Sequence, residues 1–308
     1  MVCRAGLHAP FRKAEELLLE LSGWSVDAET VRRHAHAEAG RAAATRPSRM
    51  GLPKEFGKAP GDAEVHIDAG KVNTPGGWRD VKVAVLGVRE RGKPATSEDY
   101  EQRDLPAPGV RSVVAAVEEV AAFEVRCRAE ADRLGLVDPT RLSVLGDGAE
   151  WIWNLAARQF VGAAQVLDVY HAIEHLAEAG RAAWGDGPEL AGWLDTARRL
   201  VVGDGYCGAC EALTRPLSDP AAAGRLMAVA GSQLNYFAGH RDRLGYALRL
   251  RHGQAIGSGL VEGTIKELVN LRLKRTGARW CAERVGSFVE LLALSDTVEW
   301  QEYWTTAA

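Results

Sequence analysis

The chain has 308 residues, 46% hydrophobic and 26% charged, a composition of an ordinary globular protein with enough material for one large domain or two smaller ones. No apolar run approaches the roughly 18–20 residues that span a bilayer, which argues against a membrane protein, and the five scattered cysteines argue against a disulfide framework. The net charge of −3 disfavours a uniformly basic nucleic-acid binder, so the local distribution of charge carries the argument.

The N-terminal stretch MVCRAGLHAPFRKAEELLLEL becomes charged and amphipathic without the apolar core of a signal peptide, so a cytoplasmic protein is expected. Residues 10–40 read as helical, with Ala14, Leu17, Leu18 and Leu21 on one face and Ser25 or Asp27 capping AETVRRHAHAEAGR. Two helices joined by GWSVD resemble a helix-turn-helix. From about Ala42 to Asp62 the chain turns to Pro, Gly, Arg and Lys, as a linker does.

A strand-rich block follows: EVHIDAG, then DVKVAVLGVRE with Val81, Val83 and Val85 alternating, then TSEDYEQRDL, expected as an antiparallel meander. SVVAAVEEVAAFEVRCRAEADRLG reads as a long helix ending at Gly135. RLSVLGDG is a buried strand stopping at Gly146-Asp147-Gly148, AEWIWNLAARQF a helix, and GAAQVLDVYH a strand ending near Asp168. Strands alternating with helices imply parallel pairing. Residues 171–252 look entirely helical, punctuated at Gly187-Pro188, Gly203-Asp204-Gly205 and Asp219-Pro220. In AIGSGLVEGTIKELVNLRLKRTG, Ser258 can cap a helix carrying Glu262, and AERVGSFVELLALSDTVEW closes the chain as a helix. The expected divisions are a helical N-terminal region and linker (1–60), a first α/β part (61–170), a helical insertion (171–255) and closing helices (256–308).

Asp68 and Asp147 each end an apolar strand, where an acid is costly to bury unless paired or metal-bound. The carboxyl ends of strands are where open α/β sheets hold ligands. Hard cations such as magnesium take carboxylate oxygens, and a pair of metals about 4 Å apart can stabilise phosphoryl transfer. Glu262, in the first turn of a helix with Lys266 on the same face, is the third acid. Taken singly, each has a plain structural role as a turn, cap or first-turn residue. Two stretches are locally basic, Arg32 to Lys58 and Lys266 to Arg284.

The strings GDGAEWIW, VLDVYHAIEHL and AIGSGLVEGTIKELVNLRLKRTGARW resemble insertion-sequence transposases of the DDE superfamily, in particular the Kra-type group, over roughly residues 60–304. The resemblance implies an RNase H-like α/β fold, with three antiparallel strands, then βαβ, then an acidic helix after a helical insertion. It implies a catalytic and metal-binding triad of Asp68, Asp147 and Glu262 with two magnesium or manganese ions. It further implies a supporting Asp-x-x-His element at Asp168 and His171, and DNA contacts from Lys266, Arg272, Lys274 and Arg275. The partners would be element ends and target DNA, the active form an oligomer, and the location the nucleoid. The chain departs from the pattern in its short N-terminal region and in Ala69, where glycine is expected after Asp68.

Other readings stand beside this one. His171-Ala-Ile-Glu174-His175 spells the HxxEH of inverted zinc proteases, with two histidines on one helix face but no third ligand. Cys207 and Cys210 form a CxxC without a second pair to complete a zinc site. A DNA-binding relative without catalysis would keep the basic stretches and not use the acids. Trp151 and Trp153 could stack on a base but at helical spacing read better as core.

Overall fold

The computed structural model describes residues 1–306. Helices α1 (Val2–His8), α2 (Phe11–Ser22) and α3 (Ala28–Thr45) come first, and Asp27 caps α3 by accepting from Thr30 N at 2.9 Å. A single 3₁₀ turn and α4 (Gly51–Lys58) occupy the segment that composition marks as a linker. Its arginines misled: Arg46 and Arg49 face inward onto carboxylates rather than outward into solvent.

Strands β1 (Asp62–Thr74) and β2 (Gly77–Arg89) form a long hairpin, and β3 is Val110–Ala116. The expected third strand, TSEDYEQRDL, is irregular, and the first residues of the expected long helix supply β3 instead. Burial decides it: the Val113–Ala116 run pairs with the buried centre of β2, whereas the polar 97–105 segment has little to bury. The helix itself, α5 (Val120–Arg133), starts only after this strand. Then come β4 (Leu142–Gly146), α6 (Glu150–Gln159) and β5 (Ala164–Leu167).

The five strands form one sheet in the order β3-β2-β1-β4-β5, antiparallel across β3-β2-β1 and parallel across β1-β4-β5. It is a mixed α/β fold. One apolar layer, with Val65, Ile67, Val144 and Leu145, meets α5, α6 and the helices that follow β5. The opposite face, with Val72, Val81, Val83 and Val85, packs with residues from the N-terminal and C-terminal helices in a single core.

After β5 the chain is helical, as the sequence predicts: α7 (Val169–Trp184), α8 (Pro188–Thr214), α9 (Pro220–Gly239) and α10 (Tyr246–Arg251). The expected break at Gly203-Asp204-Gly205 is a kink within α8, where Gly205 takes φ 56°. Helix α11 (Gly259–Thr264) runs through one π-helical turn, Ile265–Asn270, into α12 (Leu271–Leu273). This run lies across β1 at Gly70, where a Cβ would stand 3.0 Å from Ile265 Cγ2 and 3.3 Å from Val269 Cγ1. Helices α13 (Ala282–Leu294) and α14 (Glu299–Thr306) close the chain. Among the described residues no helix is long and apolar enough to cross a membrane.

Candidate active site

The register of the parallel strands builds the site. Ile67 of β1 pairs with Gly146 of β4, and Gly146 pairs with Leu167 of β5. The next residue on each strand is an aspartate: Asp68, Asp147 and Asp168 therefore stand side by side at one edge, on strands about 4.8 Å apart. Glu262 arrives from α11, one helical turn before Ile265 packs on Gly70 of β1.

The four acids differ in what holds them. Asp68 is half-buried, and its Oδ1 accepts from the neighbouring Ala69 N at 2.6 Å. Burial, and then the charges of Asp147, Glu262 and Asp168, outweigh that hydrogen bond and push the Asp68 carboxyl up to about 6. Asp147 closes the turn into α6, accepting from Ala149 N at 2.9 Å. Asp168 is 2% exposed, and both of its oxygens are taken by backbone donors. Oδ1 caps α7 by accepting from His171 N at 2.8 Å, and Oδ2 accepts from Ser258 N.

Ser258 stands at the start of α11, as expected, but its hydroxyl does not cap the helix backbone. It donates to Glu262 Oε1 at 2.9 Å. Asp168 thus reaches Glu262 through Ser258, and the strand edge is tied to the acidic helix. A buried N–H left without its acceptor costs about 1–3 kcal/mol. Asp168→Asn, which turns an amide NH₂ toward one of those donors, is therefore expected to lower the unfolding free energy by about that amount. Chemical denaturation of the two proteins tests this, and equal stability would contradict the assignment.

The raised Asp68 carboxyl has a measurable consequence. The folded chain holds this proton more tightly than the unfolded chain, whose aspartate keeps its ordinary value near 3.8. The group's contribution to stability is fully present below that value and is lost as pH rises through about 6. Asp68→Asn, neutral at every pH, escapes the loss. In a chelator it should melt a few degrees above wild type at pH 7.5 and close to wild type at pH 4. A variant that melts lower by the same margin at both pH values would count against a carboxylate cluster at Asp68.

The donor set is one of hard carboxylate oxygens, which suits magnesium or manganese rather than a thiol- or imidazole-seeking metal. Among the described residues, however, no three His, Cys, Asp or Glu side chains are oriented around one point as ligands of an ion. Glu262 in this arrangement engages Ser258.

The remaining residues singled out by sequence are placed as follows. His171 Nδ1 lies 3.3 Å from Glu174, while His175 Nδ1 pairs with Gln233 Oε1 at 3.0 Å and its ring stacks on Tyr236 at 3.6 Å. The two HxxEH imidazoles are thus engaged with neighbours on α7 and α9. Cys207 and Cys210 are free thiols on α8. Trp153 is buried under Arg243 and Trp151 packs edge-on to Phe123, so both serve the core.

Lys266, Lys274 and Arg275 are exposed. Arg272 is not, and its expected DNA contact is corrected here. It is 5% exposed and donates to the carbonyls of Leu7 and Gly6, both at 2.7 Å. Its guanidinium lies about 5 Å from the ring centres of Phe11, Trp280 and Phe288. Its positive charge fastens α1 to the C-terminal helices and is not available to phosphate.

Sequence reading missed Tyr236. Its Oη is buried without a hydrogen-bond partner among the described residues, 2.6 Å from where a Cβ on Gly148 would sit. Burial and the charges of Asp147 and Asp168 raise its hydroxyl above the ordinary value. Nothing in the local string SQLNYFAGH signals this. Only the packing of α9 over the Asp147 turn brings it there. Compared with family models and with curated proteins, the chain matches none.

Proposed function

We propose that this chain is a DDE-type transposase, with an RNase H-like catalytic core, that cuts and joins DNA with divalent metal. The observation that supports it best is the strand register: Asp68 and Asp147 share one edge, and the helix bearing Glu262 crosses the same strand. Asp68, Asp147 and Glu262 would hold the metal, leaving Asp168, both oxygens occupied, as a brace for Ser258 and Glu262. Bound divalent cations would lower the pKa of attacking water and stabilise charge on the leaving oxygen.

The chain's own residues bind and orient. Through the cations they would hold, the carboxylates would position the phosphodiester for in-line attack. Water attacks phosphorus and a 3′ hydroxyl leaves; that hydroxyl then attacks a target phosphodiester, and the target's own 3′ oxygen leaves. Exposed Lys266, Lys274 and Arg275 offer charge to the DNA backbone. The active form would be an oligomer that pairs two DNA ends.

The test is incubation of purified protein with DNA carrying the gene and its flanks. Cleavage with 3′ hydroxyl products in magnesium or manganese, abolished by chelator, is the expected result. Binding without cleavage under any divalent metal would instead favour a DNA-binding relative that has no catalytic role for its acids.

A further inference from the structure

We propose that the tip of the β1-β2 hairpin and the loop after α12 form a duplex-DNA clamp, with Trp78, Arg79, Lys274, Arg275 and Arg279 as its contacts. The proposal rests on the DNA reading above and extends it to a surface about 20 Å from the acids.

The two segments are bolted together. Thr74 and Gly77 close the hairpin, with Thr74 Oγ1 donating to Gly77 O at 2.7 Å. Asn73, the partner of Trp78 in register, accepts from Trp280 N at 2.8 Å and donates through Nδ2 to Ala278 O at 3.3 Å. Trp280 Nε1 in turn donates to Leu273 O at 3.2 Å. A loop held at both sides is a preorganised platform, which binds at lower entropic cost than a free one.

What the platform presents is charge without internal partners. Arg79, Lys274, Arg275 and Arg279 are all exposed, and none makes an ion pair among the described residues. Many other exposed arginines are paired with carboxylates, among them Arg91, Arg126, Arg158 and Arg199. Residues 271–282 contain no acid at all. The ion pair nearest the hairpin tip, Lys71 with Asp80, is internally neutral. Among these cations Trp78 is 60% exposed, a large ring left open to water among the described residues. Unpaired cations around an exposed aromatic fit duplex DNA: the cations neutralise phosphates, and the ring can wedge at a base step from the groove.

Position agrees. Thr74 lies six residue steps along β1 from Asp68, about 20 Å at 3.3 Å per residue. A duplex rises about 3.4 Å per base pair. A duplex with one phosphate at the carboxylates spans the distance to the hairpin tip in about six base pairs.

The experiment is metal-free binding of a 30-bp duplex, read by fluorescence anisotropy across a salt series, so that affinity is measured apart from cleavage. Arg275→Ala with Arg279→Ala should weaken binding at least about tenfold and lower the slope of log K against log salt by about two. Trp78→Ala, which removes the wedge and no charge, should weaken it about fivefold or more with little change in slope. Lys54→Ala with Lys58→Ala, which removes equal charge elsewhere, should change affinity less than twofold. If wild type binds and the clamp variants bind equally well, or if the control loses as much, the clamp is wrong and the catalytic reading is untouched. If wild type binds no duplex at any salt, the transposase reading and the clamp fall together.

Discussion

Glu299→Ala is expected to lower the unfolding free energy by about 3–5 kcal/mol, the usual cost of removing one partner from a buried ion pair. Glu299 is fully buried on α14. Oε2 accepts from Arg49 Nε at 3.0 Å, while Oε1 accepts from Leu52 N at 3.0 Å and Arg133 Nη1 at 2.9 Å. Arg133 also grips Glu130, which binds Arg46, and Arg46 reaches Glu290 at 3.0 Å. Three arginines and three glutamates thus balance, and every charge depends on its neighbours. Deleting Glu299 leaves Arg49 without a carboxylate in a site with little water, takes one of two from Arg133 and orphans Leu52 N. The network joins the N-terminal segment to α5, α13 and α14, so its failure loosens the packing of both chain ends. Urea denaturation measures it. A loss below about 1 kcal/mol would mean that water screens the pair far better than its burial implies.

Much of the sheet was legible because its strands are bounded by their own chemistry. The alternation of Val81, Val83 and Val85 marks β2, and apolar runs ending in Asp mark β1, β4 and β5. That rule holds for Asp147 and Asp168, which follow the last residues of β4 and β5, but not for Asp68, because β1 continues past it to Thr74; the register nonetheless brings the three into line. The third strand was misplaced because VVAA precedes a true helix without a break in hydrophobicity, so the period alone could not divide them.

Charge was the harder signal. Arg46 and Arg49 look like part of a solvated basic run, but their partners Glu130 and Glu299 lie 84 and 250 residues away. Arg272 sits in a basic stretch beside Lys274 and Arg275, yet it alone meets the carbonyls of Gly6 and Leu7, about 265 residues distant. No local pattern distinguishes a buried arginine from an exposed one. The fold does so by supplying the acceptors. Trp78 and Tyr236 stayed unread for the same reason, since one matters for being uncovered and the other for the turn it packs against.

The most direct test of the proposed chemistry is the rate of metal-dependent DNA strand cleavage by Asp68→Ala, Asp147→Ala and Glu262→Ala beside wild type. Each variant removes a carboxylate from the edge where two strands and a helix meet. Metal-borne stabilisation of a phosphoryl-transfer transition state is worth several kcal/mol. With about 1.4 kcal/mol per tenfold, a loss of about 4 kcal/mol slows cleavage about a thousandfold. All three sites are partly solvated, so the variants should stay folded, and Asp68→Ala should be no less stable than wild type at neutral pH without metal. Three folded variants at least about a thousandfold slower than an active wild type is the predicted result. Variants that cleave at the wild-type rate would contradict the assignment of these three acids.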